Sequence, residues 1–299
     1  MTTETFCTLE TLAAEETIFG TAGDTTRIWF LLEYTDPWRP EVENDNDLPE
    51  PVQTWFSAHL ADLPGSRLFF IKRPSASANA TTRRFYVAVS TPTRHTLHAF
   101  EVETYAELLW LDVPAIVAGD EKYAAYQTDE TLFLVCTHGK RDKCCAKFGR
   151  PVYEALAELA PAQTWESSHL GGHRYAAVTA VLPAGLSYGF MSPDVVPQLY
   201  EATQRNEIVA PHFRGHAYYP VAVQAADYFL RRELNEWQNG CVQLLEHEVG
   251  EHGRVTVRFQ HEANTHTVTL TMRLSEPVLA GCTANKKKPR PFYELVSIT

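Results

Sequence analysis

Short apolar runs bounded by charge alternate with amphipathic stretches through residue 240, and this order predicts an α/β fold. Residues 1–20 are acidic and predicted helical, with Leu9, Leu12, Ala13 and Ile18 as core contacts. A buried strand is expected at 27–33, a helix at 51–63 with Pro51 in its first turn, and a second strand at 66–72. A polar loop at 75–82 leads into a hairpin, 84–90 with 96–102, and then a short helix at 105–111. The order then begins again. A strand is predicted at 131–135, a helix at 152–160 begun by Pro151, a chain leading through 164–168, paired segments at 175–182 and 186–190, and a helix at 195–203. Residues 221–237 form a last helix. Beyond it, 254–260 and 267–273 alternate with period two, as half-buried strands do.

The two halves can be laid on each other. Trp29–Glu33 matches Leu132–Cys136, and Arg84–Ala88 matches Arg174–Val178. This predicts two tandem units of thioredoxin-like topology, residues 1–119 and 120–240, followed by a C-terminal β-hairpin or meander over 241–299 packed on the second unit. The first unit has Glu33 where Cys136 stands in the second, and a Ser/Ala/Asn/Thr loop where the second has histidines, so it is expected to be structural.

The candidate chemistry lies in that second unit. Cys136-Thr-His-Gly-Lys-Arg-Asp-Lys-Cys144-Cys145 follows an apolar strand, so Cys136 stands at a strand's C-terminal end, where open α/β sheets place their sites. Ser168-His169-Leu-Gly-Gly-His173 follows later. Read as a loop, the diglycine lets both imidazoles converge. Two thiolates and two imidazoles make a four-ligand set for a metal or small cluster. Adjacent residues in an extended chain point to opposite sides, so only one of Cys144 and Cys145 can join Cys136. The spacing is not that of a zinc finger. Cys136-Thr-His138 matches one Rieske box, but no C-x-x-H is present to supply the other.

These two boxes, C-T-H-G-K-R-D with Cys145 and W-E-S-S-H-L-G-G-H-R, resemble the sucrase/ferredoxin-like family. The pattern is also similar to thioredoxin-like [2Fe–2S] ferredoxins, with histidines replacing one cysteine pair. The resemblance is strong over residues 130–190, extends to Arg214-Gly215 and Gln224, and weakens over the first hundred residues. It implies a [2Fe–2S] cluster with Cys136 and Cys145 on one iron and His169 and His173 on the other. Eukaryotic members carry a single cysteine at the position of Cys145, which favours it over Cys144. Arg141 and Asp142 are expected to brace the loop, Arg174 to cover the cluster, and His138 either to support the ligands or to serve the fold. No carboxylate pair suits glycoside hydrolysis.

The chain has 299 residues, 44% hydrophobic and 21% charged, so it has material for real cores. A net charge of −11 argues against nucleic-acid or anionic-membrane partners. No run approaches the roughly 18 apolar residues of a membrane span. The start has neither a basic nor an apolar signal region, so the cytoplasm is the expected location. Without a G-x-G-x-x-G fingerprint, electrons must come from a separate donor. The protein is therefore expected to be an electron carrier or reductase component rather than a stand-alone enzyme. A zinc-stabilised binding protein and a thioredoxin-type thiol protein are the alternatives, the latter weakened by the lack of C-x-x-C. Lys140, Arg141, Lys143, Lys147 and Arg150 make a basic island that suits an acidic redox partner, whereas Lys286–Arg290 is expected to be a solvated loop. Neutral imidazoles leave the oxidised cluster uncharged. Its potential is expected above the about −400 mV of plant-type ferredoxins, and to fall with rising pH where a ring N–H meets solvent.

Cys136→Ser should abolish visible absorbance and bound iron, because a hydroxyl replaces a soft thiolate poorly. Glu33→Ala, at the matching place in the first half, should leave both intact. Full iron in Cys136→Ser would remove Cys136 from the ligand set.

Overall fold

A computed structural model describes residues 5–23, 25–74, 80–284 and 286–299. Most of the polar loop expected at 75–82, and residues 1–4 of the expected first helix, lie outside them.

In chain order the helices are α1 (Cys7–Ala13), α2 (Glu50–Asp62), α3 (Val113–Ala118), α4 (Lys143–Leu159), α5 (Val196–Gln204) and α6 (Val221–Leu234). One large sheet contains β1 (Ile28–Glu33), β2 (Ser66–Lys72), β3 (Arg83–Ser90), β4 (His95–Val102), β5 (Gln127–Thr128), β6 (Leu132–Cys136), β7 (Thr164–Ser167), β8 (Thr179–Leu182), β9 (Leu186–Tyr188) and β10 (Phe213–His216). Its strand order is β10-β9-β8-β6-β7-β2-β1-β3-β4-β5. β1 runs parallel to β2 and antiparallel to β3, and β6 runs parallel to β7 and antiparallel to β8. The halves meet where β2 pairs antiparallel with β7, Ile71 opposite Ser167 and Lys72 opposite Glu166.

All six residues of β1 are buried, as a strand covered on both faces requires. Phe30 and Leu32 pack with Val52 and Phe56 of α2. The alternate residues, Trp29 and Leu31, share a core with Leu132, Leu134, Cys136 and Trp165 of the second half. Tyr86 of β3 and Trp165 of β7 come within 5.9 Å in that core, centroid to centroid. Cys136 and Cys145 belong to it too, so the cysteine box closes one end of the apolar seam between the halves.

Several sequence expectations change. The first helix spans only seven residues and buries Cys7, Thr8 and Thr11. Leu9 and Leu12 are exposed, as is Ala13, because the face turned to the protein is the polar one. The helix expected at 152–160 begins nine residues earlier, at Lys143, and Pro151 lies inside it. Proline costs a backbone hydrogen bond there, but Cys145, Gly149, Val152 and Leu156 keep a buried stripe at helical spacing through it. Residues 105–110 form a 3₁₀ turn, and the last helix stops at Leu234, where Asn235 takes a left-handed conformation.

The C-terminal region is larger than a hairpin. β11 (Val242–Val249), β12 (Arg254–His261), β13 (Asn264–Leu274) and β16 (Pro291–Ile298) form a four-stranded antiparallel sheet. Val255, Val257, Phe259, Val268 and Leu270 pack it on Ala222, Ala226 and Phe229 of α6. Between its last strands the chain makes a strap, β14 (Val278–Leu279) paired with β15 (Lys287–Lys288). Lys287 lies 3.4 Å from Glu10 of α1, and Lys286, Lys287 and Lys288 are exposed, as a solvated run would be.

Gly149 sets the distance between α4 and β6. A Cβ there would stand 2.1 Å from the Cys136 carbonyl oxygen. Gly149→Ala would gain up to about 1 kcal/mol in helix propensity, but displacing backbone costs about 1–3 kcal/mol. The expected net result in urea unfolding is a loss of stability. A more stable Gly149→Ala protein would contradict this packing.

Candidate metal centre

The site is built where β6 ends and α4 begins. Asp142 caps the helix, its Oδ1 accepting from the Cys144 N–H at 2.9 Å. Cys144 and Cys145 therefore lie in a helical first turn, not in extended chain. With 3.6 residues per turn they diverge by about 100°. Cys145 turns toward Cys136, and Cys144 turns toward Cys7 and Cys282.

Cys136, Cys145 and His169 bring their ligand atoms within 4.8 Å of one another. His169 Nδ1 lies 3.9 Å from the Cys136 sulfur and 3.7 Å from the Cys145 sulfur. Both thiols are buried and ionise unequally. The hydrogen bond between them holds Cys136 well below the usual thiol range, and the same bond, with burial, pushes Cys145 up. A metal ligand must be thiolate, and this pair is prepared to supply one.

His173 stands beside His169, ring centroids 5.4 Å apart. Its Nε2–H donates to the Ala280 carbonyl at 2.9 Å, and its Nδ1 is buried with no hydrogen-bond partner. Burial lowers its pKa, so the ring is neutral at neutral pH. A neutral imidazole with one nitrogen fixed by a carbonyl and the other bare is the form that ligates metals. The two thiols and His169 Nδ1 form a three-donor group that suits a metal, and His173 stands beside that group without joining it.

The first half holds the histidine loop. Ser168 N–H donates to the Phe70 carbonyl at 2.8 Å, the Phe70 N–H donates to Ser168 Oγ at 3.1 Å, and that hydroxyl donates to Glu43 at 2.7 Å. Behind the diglycine, buried Arg214 donates to the Gly171 carbonyl at 3.2 Å and to Thr21 Oγ1 at 3.1 Å. Gly172 adopts φ +76°, and a Cβ on it would meet the Arg214 guanidinium at 2.2 Å. Burial pulls Arg214 down to about 10, which still leaves it charged.

Of the other expected roles, that of Arg174 changes. Arg174 does not cover the centre; it turns away to an ion pair with Glu16 at 2.8 Å and to Thr11 at 3.3 Å, fastening α1. His138 is bonded through Nε2 to the Arg39 carbonyl at 2.9 Å beside Trp38, and its Nδ1, like that of His173, is buried without a hydrogen-bond partner. Arg141 pairs with Glu41 of the first half. Asp142 braces more than its own loop, because its Oδ2 accepts from the Cys282 N–H at 2.8 Å. Ser168, Ala280 and Cys282 were not singled out from sequence. Ser168 stood within the second box as a small polar residue beside a histidine, whereas the partners at 280 and 282 left no local signal.

No helix among the described residues is long and apolar enough to cross a membrane. The chain is 27% identical over 117 residues to Altered inheritance of mitochondria protein 32 of Eremothecium gossypii, covering 34% of this chain and 37% of that protein. It thus spans little more than a third of that curated relative's length. It is also similar to a thioredoxin-like [2Fe–2S] ferredoxin from Aquifex aeolicus, at 19% identity over 31% of this chain and 97% of the ferredoxin, with a TM-score of 0.28. A cysteine-to-serine variant of that ferredoxin matches 28% of this chain with a TM-score of 0.26. The family described as Sucrase/ferredoxin-like matches residues 18–215, a span that takes in both boxes, both halves of the large sheet and the braces between them. The chain belongs to the sucrase/ferredoxin-like family.

Proposed function

We propose that the protein is an electron-transfer component that carries one [2Fe–2S] cluster on Cys136, Cys145, His169 and His173. The observation that carries this reading is His173, buried and neutral, with Nε2–H fixed on Ala280 and Nδ1 left bare beside His169 and the thiol pair. An unpaired buried nitrogen costs free energy unless a ligand completes it. When bound, the cluster supplies one-electron chemistry. The protein's part is to orient the donors and exclude water. Cys136 and Cys145 are each only 1% exposed, closing the inner side of the centre. His169 lines a surface opening with Glu41, Glu43, Arg67 and Arg141, so electrons and any linked proton would pass at its ring.

The reading includes two tandem thioredoxin-like units, 1–119 and 120–240, with 241–299 as an extension. What supports it is the matching strand order, β2-β1-β3-β4 in one half and β7-β6-β8-β9 in the other. Six unpaired cysteines suit a reducing compartment such as the cytoplasm. The redox partner is proposed to dock at the basic island beside the centre, where Lys140, Lys147 and Arg150 are exposed. Electron-transfer rates should fall as salt screens that attraction, and rates indifferent to ionic strength would remove this docking face.

The ligand test uses iron, sulfide and visible absorbance in protein purified anaerobically. Cys145→Ser should lose all three, while Cys144→Ser should keep them. A colourless wild-type protein with zinc at the first centre would overturn the reading, and the reverse pattern in the two serine variants would exchange the ligands.

A further inference from the structure

A second cluster of soft donors lies on the other side of the same helical turn. Cys7 of α1, Cys144 of α4 and Cys282 of the C-terminal strap meet pairwise, at 3.5 Å between Cys7 and Cys144, 3.0 Å between Cys144 and Cys282, and 3.6 Å between Cys282 and Cys7. Asp142 completes the set, all four ligand atoms lying within 4.8 Å of one another. We propose that Cys7, Cys144, Cys282 and Asp142 form a structural zinc site, separate from the first centre, that clamps both ends of the chain over His173.

The donors come from segments 137 and 138 residues from Cys144, so no local motif gathers them. A buried free cysteine ordinarily packs as a small hydrophobe, yet these three surround the carboxylate of Asp142, which is 3% exposed. Each Asp142 oxygen accepts one amide N–H, from Cys144 at 2.9 Å and from Cys282 at 2.8 Å, and each retains a lone pair for a metal. The Cys7 N–H donates to the Cys282 sulfur at 3.4 Å, a bond that favours thiolate. Around the set, Phe6, Phe148, Leu279 and Ala176 form an apolar wall. Tetrahedral Zn²⁺ with Zn–S bonds of about 2.3 Å needs sulfurs about 3.8 Å apart, so the trio need open only slightly to admit it. Three thiolates select zinc over magnesium or calcium. Binding is redox-neutral: Zn²⁺ displaces whatever protons the three sulfurs still hold, and the carboxylate becomes the fourth ligand.

The clamp reaches the first centre through its neighbours. Ala280, two residues before Cys282, holds His173 Nε2–H, and Thr8, next to Cys7, donates to the His173 carbonyl at 2.9 Å. Zinc would thus fix both contacts to His173.

The test begins with metal analysis of the full-length, cluster-loaded protein purified with reductant. One zinc per chain is expected in addition to iron. In that protein Cys7, Cys144 and Cys282 should resist alkylation until a chelator removes zinc, with far-UV circular dichroism retained, a readout that needs no substitution. In a full-length Cys136→Ser/His169→Ala variant, which disables the first centre, one equivalent of cobalt should still give thiolate-to-cobalt and tetrahedral absorption bands, displaced by one equivalent of zinc. Adding Cys282→Ser should remove those bands, while adding Cys241→Ser should leave them. Absence of zinc from wild type after incubation with one equivalent, alkylation unaffected by chelator, or a Cys144–Cys282 disulfide that persists in protein purified with reductant would each overturn the proposal.

Discussion

The carboxylate of Asp142 is the joint on which the rest of the centre depends. It caps α4 through Cys144 N–H, which fixes the helical turn that aims Cys145 inward and Cys144 outward. Its second oxygen holds Cys282, and through that strap the Ala280 carbonyl that orients His173. A buried carboxylate with two amide donors stays ionised far more readily than a bare one. Its hydrogen bonds to charge are worth more than neutral ones. One side chain thereby couples the position of a thiol, the tautomer of an imidazole and the course of the C-terminal chain.

Among the described residues the first half of the protein gives no donor to the Cys136–Cys145–His169 group, yet it is not passive. Its strand faces cover the apolar seam in which Cys136 and Cys145 lie, and β2 pairs with the strand that ends just before the histidine loop. Ser168 is pinned between Phe70 and Glu43, Arg141 is paired with Glu41, and His138 is bonded to Arg39. Rigid support of this kind would serve the proposed redox centre, because donors that shift little need little reorganisation when charge changes.

The legible parts were local. The boxes at 136–145 and 168–173 could be read because each places its donors within ten residues, and the strands could be read because alternation and apolar runs are short-range signals. Pro151 misled the reading of α4, although the stripe Cys145, Gly149, Val152 and Leu156 was present in the sequence and outweighs the lost hydrogen bond. Leu9 and Leu12 misled in the opposite way, since α1 is held by polar contacts to Arg174 and His173 rather than by its leucines. The convergence of Cys7, Cys144 and Cys282 and the pairing of β2 with β7 depend on long-range contacts that leave no periodic trace, whereas β12 and β13 of the C-terminal sheet were legible from their alternation.

The central claim is that His169 and His173 ligate the redox centre through nitrogen. Pulsed electron paramagnetic resonance on dithionite-reduced protein, with histidine alone labelled with nitrogen-15, tests it directly. The account predicts two strongly coupled histidine nitrogens, one of which disappears in His173→Cys if the cluster still assembles. A reduced cluster with no strongly coupled histidine nitrogen would contradict it.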